Sequence, residues 1–271
     1  MNKKVISFNE LAKQYKNECR DAQEERKLNI EASYLFHKAL KEVDNMKAYD
    51  LASNAYEIDQ SKYEYKVYAI SKLEDKNRRQ EEYKALYEEI NNLINAFTKD
   101  ALLKIYDESE YDKNRYCDLE YHYATCLIEC AKYSDAYKLL FRLLNSKNNY
   151  RFKVKHLLLN IKIIENDYQG ILDLYDYQKD DSILILIPLS FAYLKLNKYK
   201  EFVDTIRHIN YLNPNFSTFF TKEINEIDVK NAPSSYEIAS TEELYNAFKY
   251  FLFIYKSDSE YLKKIKTILC D

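Results

Sequence analysis

Hydrophobic residues recur along this chain at intervals of three and four, the spacing that places them on one face of an α-helix. In AKYSDAYKLLFRLL, NDYQGILDLYDY and NKYKEFVDTIRHI the residues Tyr133, Tyr168 and Tyr199 each follow a turn-like pair and open an amphipathic helix. They lie 35 and 31 residues apart, on either side of the roughly 34-residue period of tetratricopeptide arrays. A helical segment precedes each tyrosine, so the repeating unit reads as helix, turn, helix.

In the first of these units the pattern predicts one helix from Tyr116 to Cys130, a turn at Ala131 and a second helix from Ser134 to Asn145. Ala124 and Ala136 fall where the two helices must approach closely, and Ser190 and Phe202 hold those places in the third unit. Pro214, which has no amide hydrogen to donate, ends that unit's second helix. An earlier unit spans Asn29 to Asp59. There Ala32, Leu35 and Ala39 line one helix and Ala48, Ala52 and Ala55 the next, small residues on facing sides. Lys62–Leu73 and Asn77–Phe97 read as another helix pair with Glu-rich outer faces, and Lys99–Tyr106 as a short helix. Beyond Asn215 the periodicity weakens, and Asp228–Ser240 reads as a loop. Thr241 is then the expected N-cap of an aromatic helix reaching Tyr255, with Glu242 and Glu243 in the first turn. A last helix covers Ser257–Leu269. This pair, 241–269, is expected to seal the end of the stack, because a terminal repeat otherwise exposes an apolar face.

Composition agrees with an all-α chain. There is one glycine, Gly170, and only three prolines, Pro188, Pro214 and Pro233, so the turns of hairpins, phosphate loops and dinucleotide folds lack their usual residues. Hydrophobic residues make up 46% and charged residues 31%, which is enough apolar material for a core. The net charge of -3 supplies no general basic footprint, so the alternative to a protein-binding scaffold, a nucleic-acid-associated helical solenoid, would need a segregated basic face. Lys76, Asn77, Arg78 and Arg79 do form a local basic run. Glu81 and Glu82 follow at once, and the run reads as a solvated helix start before it reads as a phosphate contact. The 28 tyrosines recur at core spacing and not in one cluster. Five cysteines, an odd number, and an N-terminus without a hydrophobic signal core point to reduced thiols and the cytoplasm. The apolar run Ile183–Leu194 contains Pro188 and falls short of the roughly 20 residues a membrane span needs.

The block 115–216 resembles the tetratricopeptide-repeat family, and within it proteins of the suppressor-of-tumorigenicity-seven type and their bacterial relatives. The likeness rests on Arg115 and Tyr116 opening a helix, then YATCLIECAKYSDAYKLLFRLL, an Asn-rich link NSKNN, KHLLLN, LDLYDYQKDD, SFAYLKLNKYKEF and the closing NPNF. The segments at 48–59 and 241–269 follow the same order. Where the general repeat carries turn glycines, this chain has Val43, Ala131, Asn166 and Asn197. The resemblance implies one domain over 1–271, a right-handed α-α superhelix of divergent helical hairpins with a C-terminal capping pair. It also implies a non-enzymatic scaffold, with no cofactor, that binds a protein or peptide. In that register the concave groove is lined by Tyr121, Thr125, Lys155, His156, Leu159, Phe191 and Lys195, a mixture of aromatic area, hydrogen-bonding groups and positive charge that suits an extended peptide with acidic positions.

One further constellation carries candidate chemistry. His122, Cys126 and Cys130 stand at i, i+4 and i+8 of one helix, with Cys117 near, and imidazole and thiolates are zinc ligands. No CxxC pair or second histidine lies within finger spacing, and cysteines at those repeat positions serve as small apolar contacts against the neighbouring helix. The acidic pairs Asp107–Glu108 and Asp180–Asp181 read as solvated turn residues, and the Walker, Rossmann and HExxH patterns are absent.

Overall fold

The computed structural model describes residues 26–60, 62–96, 110–145, 151–178, 180–221, 226–233 and 235–270. Among these residues the chain is all-α, with fifteen helices and no strand. It divides into two compact units, 1–126 and 127–271. The expected short helix Lys99–Tyr106 lies outside the described residues.

The first unit holds α1 (26–41), α2 (Asn45–Ile58), α3 (Tyr63–Ser71), α4 (Lys76–Ala96) and most of α5 (Glu110–Glu129). Its first pair closes on the alanines anticipated from the spacing: Ala32, Ala39, Ala48, Ala52 and Ala55 have no exposed surface. With alanines at its centre, the α1–α2 seam packs against Tyr65 and Ala69 of α3, and Leu35, Phe36, Tyr49 and Tyr56 flank it. The Phe36 ring stacks on Tyr65 at 4.3 Å and meets Tyr68 edge-on at 5.4 Å. Asp44 caps α2, accepting from the Lys47 amide at 3.0 Å, an interaction of the kind worth about 1 kcal/mol. On α4, Tyr83, Leu86 and Ile90 turn inward. The Tyr83 hydroxyl donates to the Val67 carbonyl at 3.4 Å.

The second unit holds α6 (Tyr133–Asn145), α7 (Arg151–Ile164), α8 (Tyr168–Leu174), α9 (Ile183–Lys195), α10 (Tyr199–Leu212), α11 (Asn215–Thr221), α12 (Glu226–Lys230), α13 (Thr241–Phe248), α14 (Leu252–Ser257) and α15 (Ser259–Cys270). The three marker tyrosines are the first residues of α6, α8 and α10. Before each of them the chain reverses through a non-glycine residue with left-handed backbone: Ala131 at φ 57, Asn166 at φ 58 and Asn197 at φ 57. Each turn is closed by the same two hydrogen bonds. The left-handed residue donates three residues back (Ala131 to Ile128, Asn166 to Ile163, Asn197 to Leu194) and its successor donates five back (Lys132 to Leu127, Asp167 to Lys162, Lys198 to Tyr193). This is the Schellman arrangement, which occupies the last free carbonyls of a helix. Val43 does not share it. No left-handed φ occurs there, and the α1–α2 link turns through an extended Asp44 instead.

α9 explains why its sequence is apolar all round: eleven of its residues, Ile183–Ala192 and Leu194, are buried, including Pro188 in mid-helix. A helix enclosed on every side shows no polar stripe. The aromatic stretch after Thr241 is not one helix to Tyr255 but two, α13 and α14, broken at 249–251. Ser240, not Thr241, is the N-cap, accepting from the Glu243 amide at 3.1 Å. Glu243 reaches back to the Ala239 amide at 2.9 Å and accepts from the Asn213 side chain at 3.0 Å. This variant of the capping box ties the end of α10 to the start of α13. The segment read as a loop from Asp228 instead begins inside α12, and α11 follows directly on Pro214.

Candidate ligand-binding face

α7 and α9 carry the face that the repeat register assigned to a groove in the second unit, and that face is filled by the chain's own C-terminal helices. His156 is buried on α7, and its Nε2 lies 2.9 Å from the Ala247 carbonyl. A carbonyl can only accept, so Nε2 carries the hydrogen. Burial pushes this imidazole down to about 4, and the ring is neutral at pH 7. Its ring stands perpendicular to Phe251 at 6.3 Å. One turn further on, Asn160 accepts from the Tyr255 hydroxyl at 2.7 Å and donates to the His156 carbonyl at 2.9 Å. Leu159 has no exposed surface.

Phe191, 3% exposed on α9, packs against Tyr255 at 5.5 Å and Tyr261 at 5.0 Å. Ser190 gives its one proton to the Ile187 carbonyl at 2.7 Å, so the Tyr261 hydroxyl, 2.8 Å away, donates to Ser190. Lys195 is ion-paired to Asp258 and sits 5.3 Å over the Phe191 ring. Lys155 points elsewhere, into a buried ion pair with Asp180 in the α8–α9 connection. Asp180 also accepts from the Asp176 amide at 2.7 Å. Its other oxygen, Oδ1, is buried without a hydrogen-bond partner.

Of the seven residues assigned to the groove, then, Lys155, His156, Leu159 and Phe191 are interior, and Lys195 is partly covered and paired. The register placed all five on one groove, and α13–α15 with their connections cover His156, Phe191 and Lys195 through Phe251, Tyr255, Asp258 and Tyr261. In the first unit Thr125 is also buried, its hydroxyl donating to the His122 carbonyl at 2.9 Å. Tyr121 is half-buried and meets His122 in a T-shaped contact at 5.9 Å. Asn160, Ser190, Tyr255 and Tyr261 were not marked as polar partners beforehand. The available signal was a polar residue inside an otherwise apolar helical run, as in LLLNI and IPLSF.

His122 and the cysteines take separate environments. The imidazole lies parallel to Tyr83 at 6.5 Å. Cys126, 2% exposed, directs its thiol to the Lys76 carbonyl at 3.8 Å. Among the described residues no three His, Cys, Asp or Glu side chains gather closely enough to hold a metal ion, and no helix is long and apolar enough to cross a membrane. No protein-family profile and no curated protein matches the chain.

Proposed function

We propose that the chain is a non-enzymatic scaffold of the cytoplasm, a divergent tetratricopeptide-like array of helix pairs in a right-handed superhelix, whose partner is a protein or peptide. The observation that carries this reading is the way α7 and α9 receive α13 and α14. These neighbouring helices receive aromatic side chains from the break at 249–251 and the helix after it: Phe251 meets His156, and Tyr255 meets Asn160 and Phe191. An inner face that seats aromatic anchors in this way is the kind of surface that takes an apolar segment of a partner, occupied here by the chain itself. The recurrence of one turn geometry at 131, 166 and 197 supports a repeated unit. Because the second unit fills its own face, Tyr121 in the first unit is the aromatic groove position that stays partly exposed.

The test is affinity capture from native extract with the full chain, followed by quantified binding of the partner recovered. Tyr121→Ala should fold normally and weaken that binding at least fivefold. Undiminished binding by a folded Tyr121→Ala protein would remove Tyr121 from the interface, and absence of any saturable protein or peptide partner would remove the scaffold reading.

A further inference from the structure

The basic run at the start of α4 has a structural counterpart. Helix α4 opens with Lys76, Arg78 and Arg79 and carries no acidic residue in its first turn, although cations are disfavoured at the positive end of a helix dipole. Asp75 partly offsets them, but its carboxylate is engaged by the Asn77 and Arg78 amides at 2.8 and 3.0 Å.

Next to that helix end, donors from three helices converge on one carboxylate. Tyr49 of α2 directs its hydroxyl to both Glu82 oxygens, at 3.0 and 2.9 Å. Lys66 of α3 reaches Oε2 at 3.1 Å, and Arg78 of α4 reaches Oε1 through Nε at 3.2 Å. Both cations also lie against the Tyr49 ring, Lys66 at 5.3 Å and Arg78 at 5.4 Å from its centroid. The same aromatic ring thus contacts both positive groups.

Two cations share the Glu82 carboxylate here, with the Asp75 carboxylate near Arg78 as the further negative charge beside them. Glu82 is the shared acceptor of all three donors, and its carboxylate still reaches the surface. It sits four residues after Arg78, the weaker order for a helical ion pair, and 21% of its side chain faces solvent, as does 52% of Arg78. A rotamer change would carry its carboxylate into water and leave the donors in place.

We propose that Tyr49, Lys66 and Arg78 form a binding site for a dianionic phosphate group, with Glu82 as the resident carboxylate that this group displaces. A dianion balances the two cations, and its oxygens can accept from the hydroxyl, the ammonium and the guanidinium together. The site does not depend on the scaffold reading, and its test uses no protein partner.

Inorganic phosphate is the probe, titrated into the full-length protein at constant ionic strength and followed by chemical-shift changes and thermal midpoint, with chloride as reference. Wild type should bind weakly, and more tightly at pH 8 than at pH 6 as the monoanion becomes the dianion. Glu82→Gln should tighten binding about tenfold. Arg78→Gln, a change at an exposed helix position that leaves the core untouched, should abolish it, and so should Lys66→Gln combined with Glu82→Gln. The proposal is overturned if Glu82→Gln responds to phosphate no more than wild type, or if its response survives loss of Arg78 and Lys66.

Discussion

Replacing Ala131 by glycine should stabilise the protein. Ala131 holds φ 57, where the methyl group crowds the following carbonyl at a cost of about 1–2 kcal/mol. Glycine removes that strain but gives the unfolded chain more freedom, which returns about 0.5–1 kcal/mol. The net gain is about 0.5–1 kcal/mol, or roughly 1–4 °C in the unfolding midpoint for a unit of this size. Asn166 and Asn197 hold nearly the same φ, but asparagine tolerates the left-handed region, so glycine there should change stability by less than about 0.5 kcal/mol. Val43 supplies the control. Having no left-handed backbone to relieve, Val43→Gly should give no gain. Thermal and urea unfolding of the four single variants measure the series. If Ala131→Gly lowers the midpoint while Val43→Gly raises it, the shared-turn argument is wrong.

The remaining predictions concern the interior of the second unit. His156 is neutral in the folded protein, with its pKa lowered to about 4 by burial, so the stability it contributes is fully present above its unfolded value near 6.5 and is lost as pH falls toward 4. The loss should reach about 2 kcal/mol by pH 5, and urea midpoints for wild type and His156→Gln between pH 7 and 5 should show that slope only in wild type. Phe191→Ala should cost about 3–5 kcal/mol and be read as loss of unit-two stability in urea, not as a change confined to binding. Tyr255→Phe strands the Asn160 oxygen and should cost about 1–3 kcal/mol by the same measurement. Lys155→Met alone leaves a buried Asp180 charge and should cost about 3–5 kcal/mol. Lys155→Met with Asp180→Leu should recover most of it, and failure of the double variant to recover would show that the pair is more than a neutralised charge.

Helix identity was legible because burial writes itself into spacing. The alanines of α1 and α2 repeat on one face because two helices touch there, and Tyr133, Tyr168 and Tyr199 mark helix starts because each follows the same reversal. Exposure was not legible. A residue facing an empty groove and one facing another helix obey the same periodicity, and His156, Asn160 and Phe191 would look alike in either setting. Only the position of α13–α15 separates the two cases, and that depends on contacts such as Asn160 to Tyr255, 95 residues apart. The break at 249–251 was hidden for a related reason: FKYFLFIY holds one charged residue, Lys249, and no glycine or proline, so its pattern is the same for a continuous helix as for a change of direction. The Glu82 cradle was half visible. The basic run stood out, but Tyr49 and Lys66 join it through packing, from positions 33 and 16 residues away.

The self-filled face also determines where this protein is free to diverge. In an array with an open groove, inward-facing positions can change with the ligand while the helices stay folded. Here an altered residue at 156, 160 or 191 confronts α13–α15 before it meets any ligand, so selection acts on those positions through folding. Innovation in binding is left to surfaces that the fold does not need, and descendants of this chain should differ most in partner preference where their inner faces differ least.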